Sequence, residues 1–366
     1  MPAPRPITAA STLGLCLVLT APAALAQQSG KAPPAPSPVA APDPIPVPPE
    51  MVARRNAALV YYRAWEGMNA DDWNLVSHGF ETRPDVRLSE AQLKVLMENQ
   101  PFVQALLRAA STADCDWGVQ YDEGFRALLP HLGKLRASCR FLAADARRCT
   151  QDGDPTGAAK RIAAIVRMSD QLRSDGVLIS ALVGAAVNQV AVITTEQMLK
   201  GNELTPESAR LILNAFKSMH TDDLFGSRTS IRLEGWMATQ WPRQHFTGPT
   251  AGADFYKEMS GMGANAEAPP EPLAALDGEG LAAELDKLTA YYDEVQRAWD
   301  SPKAQVELLA IQAKVADGAY GEAAKVLAAA FSKAHSSVEK SLAAIQKSIT
   351  LLETYLREGN APPANP

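Results

Sequence analysis

Between Asp114 and Leu132 the chain reads DCDWGVQYDEGFRALLPHL, with four acids, a Cys, a Trp, a Tyr and a His in one short run. Carboxylates close to an imidazole are what general acid/base chemistry uses, because the two groups exchange protons near neutral pH. On that reading Asp116 and His131 are catalytic candidates for a hydrolytic site, with Glu234 as a further carboxyl and Trp117 and Tyr121 facing the ligand. The same residues also suit a helix corner. Asp122 would cap a helix beginning at Glu123, Pro130 would restart or kink it, and Trp117 and Tyr121 would fill the space under the turn. His131 falls at the edge of an apolar face, where a hydrogen-bonded core histidine is the commoner outcome. Calcium is a poor fit, because an EF-hand register starting at Asp114 puts Gly118 and Phe125 where oxygen ligands belong.

Two other stretches have the composition of binding surfaces. Arg136, Arg140 and Arg147 line one stripe of a predicted helix, and Arg126 to Arg173 holds ten basic residues against four acids. Such a local field suits an anionic ligand or an acidic segment, and it equally suits a solvated face with Asp145 and Asp170 nearby. In SRTSIRLEGWMATQWPRQHF (227–246), Arg228 and Arg232 are one helical turn apart and Trp236 follows. Arg with Trp is the composition of an interaction surface rather than of a catalytic one, and the same stretch also suits an amphipathic helix packed against the body. No H-E-x-x-H, C-x-x-C, G-x-S-x-G or phosphate-loop pattern occurs, so no metal or cofactor is expected.

The elements that must position these residues read as helices throughout. Leu128, Leu132, Leu135, Cys139, Leu142, Ala146 and Cys149 share one face at 100° per residue. After a break at Gly153 and Asp154, a second face follows in Ala158, Ala159, Ile162, Ile165, Val166 and Leu172, so two helices should fold back on each other as an antiparallel pair. Ser89 with Gln92 reads as a capping box, Pro206 as a first helical residue after Thr205, and Gly153, Gly201 and Gly318 as helix ends. GDPTGAAKRIAA (153–164) returns as GAYGEAAKVLAA (318–329). A stop glycine with alanines at the close approach of two helices resembles the inter-helix turn of tetratricopeptide repeats, although no 34-residue period runs through the chain. The predicted fold class is all-α, with antiparallel helical hairpins stacked as an irregular solenoid or bundle.

CDWG at 115–118, LLPHL at 128–132 with Leu135-Arg136 beyond, a Gly-Asp turn and LISALV at 178–183 together resemble an uncharacterised family of exported bacterial helical proteins. The similarity runs from about Asn56 to Met219 and fades beyond. It implies a helical fold and export, and it brings no activity with it.

Export is also what the first residues suggest. Arg5 precedes an apolar run from Ile7 to Leu19 and an Ala24-Leu25-Ala26 pattern, the layout of a signal peptide (1–26) cleaved after Ala26 for a periplasmic or secreted protein. A Pro-rich linker (27–50) follows, whose spacing favours an extended chain. The rest divides into an N-terminal helical half (51–246), a Gly/Pro/Ala-rich connection (247–279), C-terminal hairpins (280–359) and a tail (360–366). The net charge of −6 argues against nucleic acid as a partner. Three cysteines follow the cleavage point. Cys139 and Cys149 lie about 15 Å apart along one helix, so any disulfide should use Cys115. Val177 to Thr195 approaches the length of a membrane helix, but Asn188 and Gln189 would sit deep in hydrocarbon, so a buried central helix is expected instead. Together these features describe an exported binding or scaffold module for a protein or peptide partner, with a periplasmic hydrolase or a purely structural envelope component as the alternatives. If Gly153 closes the hairpin in left-handed geometry, Gly153→Val should lower the thermal midpoint by the equivalent of about 1–2 kcal/mol; an unchanged unfolding curve would refute that geometry.

Overall fold

The helix stops read from the sequence are built by backbone hydrogen bonds. After the first long helix, the Asp154 N–H donates to the Cys149 carbonyl and the Gly153 N–H to the Thr150 carbonyl, with Gly153 at φ 73°. This is a Schellman ending, in which a left-handed residue turns the last orphan carbonyls inward. It recurs at Gly318 (φ 80°), where Ala319 donates to Lys314 and Gly318 to Val315. A third helix ends as expected at Gly201, its C-cap residue, but by a different residue's geometry. The left-handed residue there is Asn202 (φ 52°), with Glu203 donating to Met198, and Gly201 keeps helical angles. Asn tolerates that conformation because its short polar side chain bonds locally.

The computed structural model describes residues 55–82, 87–261, 270–328 and 331–358, so the signal peptide, the Pro-rich linker and the tail lie outside the described residues. The chain begins with α1 (Ala57–Glu66), α2 (Ala70–Thr82), α3 (Glu90–Glu98) and α4 (Gln100–Ala110). A central group follows: α5 (Pro130–Gln151), α6 (Pro155–Gln171), α7 (Leu178–Lys200), α8 (Pro206–Lys217) and α9 (Ser227–His245). Then come α10 (Ala251–Gly261), the short α11 (Glu271–Ala274), α12 (Gly278–Trp299), α13 (Ala304–Ala316), α14 (Gly321–Leu327) and α15 (Phe331–Arg357). No strand occurs among the described residues, and the fold is all-α.

α5 and α6 form the antiparallel pair, with Asp145 meeting Arg161 near the turn and Cys139 meeting Met168 farther from it. All the expected face residues are buried except Leu128, which is 81% exposed. The helix starts later than its apolar period suggested, because the residue before a proline is driven out of the α region and Pro130 becomes the first helical residue. Residues 121–126 form a separate 3-10 turn instead. Its first residues are not capped by Asp122, and Gly124 (φ 58°) lies where any Cβ would strike the Trp241 ring. The stretch 247–279 also holds more helix than its composition suggested, since Ala251, Phe255 and Met259 recur every fourth residue and give α10 a buried face.

α7 is the one helix among the described residues long and apolar enough to cross a bilayer, and two thirds of its apolar window is buried. It packs against α6, α15 and α5. Its small residues form a socket, where the Phe225 ring sits against Gly184 so closely that a Cβ there would lie 3.0 Å from it. Phe225 is itself held at φ 57°. Cys115, Cys139 and Cys149 are all free thiols.

One feature of the hairpin was not visible as a pair. Asp145 is fully buried, and it accepts from Arg161 Nε at 2.5 Å, Arg148 Nε at 2.7 Å and Gln100 Nε2 at 3.0 Å. Arg161 also donates to the Gly157 carbonyl at 3.0 Å. Removing one partner of such a pair leaves an unanswered buried charge. Asp145→Ala should therefore cost about 3–5 kcal/mol in chemical denaturation, whereas truncating the exposed Arg136 to Ala should stay within about 0.5 kcal/mol.

Candidate functional site

The acidic, aromatic motif folds as a joint between four elements. Asn56 clasps the main chain of Asp116, donating to its carbonyl at 2.7 Å and accepting from its N–H at 2.9 Å. The Asp116 carboxylate accepts from the Gly118 N–H at 2.9 Å and is exposed. Trp117 is 5% exposed and lies in a stack, with centroids 5.4 Å from Tyr61, 6.0 Å from Trp65 and 4.6 Å from His131. Below that stack, His131 Nε2 meets Asp175 Oδ2 at 2.7 Å, and Ser180 Oγ donates to the same oxygen at 2.6 Å. Asp175 Oδ1 has no hydrogen-bond partner among the described residues. Tyr121 donates to the Asp175 carbonyl at 2.5 Å. Burial and the Asp175 charge push the Tyr121 phenol up to about 12, and burial likewise raises the Cys115 thiol.

Ser, His and Asp are the residue types of a nucleophilic triad, but their order here is different. In a triad the imidazole stands between hydroxyl and carboxylate so that it can take the hydroxyl proton. Here Asp175 stands in the middle, Ser180 and His131 bond the same oxygen, and all three are at most 1% exposed. Asp116 and His131 therefore sit in different environments, one at the surface and one sealed.

Glu234 belongs to another joint. Its Oε1 accepts from the Leu178 N–H at 2.7 Å, so α9 supplies the charge that answers the start of α7. Burial pushes the Glu234 carboxyl up to about 7, and the Leu178 hydrogen bond opposes part of that rise.

The surface opens at the head of α9. Gly226 (φ 71°) approaches the Arg173 backbone so closely that a Cβ would lie 2.6 Å from its carbonyl oxygen, which fixes the elbow of residues 224–226. Asp223 accepts from the N–H groups of Arg228 and Thr229, neutralising the helix start. Arg228 Nε donates to Asp300 Oδ1 at 2.6 Å across a cleft of about 730 Å³. Trp299 and His335 pack edge to face at 4.9 Å in its wall, and Leu224, Val338 and Leu342 add apolar surface. Asp222, Lys303 and Glu339 bring charge. From this cleft Arg228, Arg232 and Trp236, each four residues apart, form an exposed stripe along α9, with Trp236 47% exposed.

The structure thus brings Arg228, Arg232 and Trp236 together and keeps them at the surface. It brings Trp117, Tyr121 and His131 together inside. Arg136 is exposed on α5, while Arg140 and Arg147 are half-buried. Sequence reasoning missed Asp175, Ser180, Trp299 and His335. Asp175 follows a helix end and precedes Gly176, a position that reads as an ordinary turn acid. Trp299 and His335, on two different helices, lie 36 residues apart in the chain, and nothing local joins them. Comparison with known protein families, curated proteins and solved structures finds no match for this chain.

The raised Glu234 carboxyl gives a pH dependence of definite sign. The folded state holds this proton more tightly than the unfolded chain does, so the stabilisation is complete below about pH 4.5 and is lost as pH rises through 7. Allowing for the solvent that reaches this half-buried residue, the change is about 2 kcal/mol. Glu234→Gln should flatten that part of the stability profile in urea titrations at stepped pH; an identical slope in both proteins would show that the carboxyl titrates normally.

Proposed function

We propose that this chain is an exported helical binding protein of the cell envelope, which meets a protein or peptide partner at the cleft beside α9. What supports the reading is the contrast between polar groups turned inward and those turned outward. His131 and Ser180 both bond Asp175 Oδ2 in the core, whereas Arg232 and the 47%-exposed Trp236 extend from an open cleft. Trp and Arg are the residues that most often dominate binding energy, because each combines a large apolar body with directed polar groups. Export rests on the first 26 residues and on the resemblance to exported helical proteins. The acidic net charge keeps nucleic acid out of the proposal. The repeated Schellman endings, with buried alanines at 158, 159, 323 and 324, are what a tetratricopeptide-like pairing of helices uses. A hydrolytic role would require His131 to leave Asp175 and Asp116 to turn inward.

The test is capture from the native envelope with the wild-type chain and with Trp236→Ala/Arg232→Glu, followed by a binding titration of whatever co-purifies. A partner of this surface should lose affinity at least tenfold, about 1.4 kcal/mol or more, while thermal unfolding stays unchanged. Equal affinity for both chains would move the function away from this face.

A further inference from the structure

One helix carries more apolar surface than the fold uses. α13 buries Ala304, Leu308, Ile311 and Val315, the face that packs on α12 and α15. Its other side presents Val306, 68% exposed, and Leu309, 50% exposed, together with exposed Ala310 and Ala313. Positions 306, 309, 310 and 313 have the spacing of a second helix-packing seam, and a surface helix needs only one. The other strongly exposed Leu and Met side chains among the described residues, Leu59, Leu75, Met97 and Leu128, are scattered over other elements. Nothing among the described residues covers the α13 seam.

We propose that a second copy of this chain covers it, with α13 packing antiparallel on its counterpart about a two-fold axis between Leu309 and Ala310. A two-fold interface must be self-complementary, since the same patch serves on both sides. This seam meets that demand twice. In size, the axis sets Leu309 opposite the partner's Ala310 and Val306 opposite the partner's Ala313, so each large side chain meets a small one. In charge, the exposed Lys303 comes opposite the partner's Ala316, one residue from the partner's exposed Asp317 and within reach of it through the long Lys side chain. Two symmetric ion pairs then close the ends of the seam. A foreign helix would need to carry the same order of large, small, cationic and anionic positions, which a second copy supplies by identity. The apolar seam spans only about 10 Å of helix, less than a standard interface provides, so the association is weak and concentration-dependent.

Sedimentation velocity of the chain over a micromolar concentration series tests this, with circular dichroism confirming that each variant folds. The wild type should move from monomer to dimer as concentration rises, and Leu309→Asp should remain monomeric. Lys303→Glu and Asp317→Lys should each weaken dimerisation at least tenfold, and combining them should restore it, an outcome that a merely destabilised helix would not give. Ala310→Cys should form a disulfide-linked dimer under mild oxidation while Met97→Cys does not. A wild type that stays monomeric throughout, a dimer indifferent to Leu309→Asp, or a charge swap that fails to restore pairing overturns the proposal. An envelope partner lost on Leu309→Asp from a monomeric chain would overturn it as well, by showing a foreign occupant. Lys303 also lines the cleft beside α9, so its variants are read by dimerisation alone, while binding at Trp236 is read by Trp236→Ala/Arg232→Glu.

Discussion

A carboxylate taken out of water must be answered by donors, because leaving the charge unmatched costs several kcal/mol. Asp175 is such a group, 1% exposed; the donors to its Oδ2 come from separate helices, and its Oδ1 has no hydrogen-bond partner among the described residues. His131 lies in the first turn of α5 and Ser180 in the first turn of α7, and Tyr121 holds the same residue by its carbonyl. α5 therefore cannot slide along α7 without stranding a buried charge. The Trp117 ring, stacked on His131, carries that constraint to Tyr61 and Trp65 on α1. The residues that look most like an active site are thus occupied in fixing how helices meet.

The opposite end of the α5–α6 pair is fixed in the same way by Asp145. Arg161 and Arg148 supply charge and Gln100 of α4 adds an amide, so the turn end of the hairpin is registered by hydrogen bonds as well as by shape. Apolar packing alone would leave this register loosely specified, since alanine faces can slip past each other with little change in buried area. Two buried carboxylates near opposite ends of one helix remove that freedom. At the far end of α6, Gln171 accepts from Tyr61 and donates to the carbonyls of Ala109 and Thr112, which ties α1 and α4 into the same frame.

Most of the helical fold was legible because its signals are local. Gly153 and Gly318 stop helices where a left-handed residue is needed, Ser89 and Thr205 cap helix starts, and the face Leu132, Leu135, Cys139, Leu142 is continuous within one helix. The misreadings were local as well. Leu128 has the right period but lies two residues before Pro130, which drives Leu129 out of the α region, and Asp122, read as a helix cap, falls inside a 3-10 turn instead. The Asp145–Arg161 pair left a trace that composition hid. Asp145 is in register with Leu142 and Cys149, and Arg161 with Ala158 and Ile165, so each is a charge on an apolar face across one tight turn. The cleft left no trace, because Arg228, Trp299 and His335 come from three helices and only the packed fold makes them neighbours.

The contrast between α9 and α13 bears on what the surface is for. Both meet the cleft, and both bury one side. α9 turns Arg228, Arg232 and Trp236 outward, where one Arg is already matched by Asp300 and the aromatic body stands in water. α13 turns out aliphatic and small residues instead. Exposed charge and aromatic area favour a partner recognised through a few strong contacts, whereas a regular seam of large and small aliphatic groups favours another helix lying along it. The core does not require either surplus. Ile231, Ala238 and Trp241 already anchor α9, and Leu308 and Ile311 anchor α13. The two unlike surfaces meet where Val306 and Lys303 line the cleft, and both are left over by helices fully anchored without them, which suits the two proposed contacts, one with a copy of the same chain and one with a different molecule.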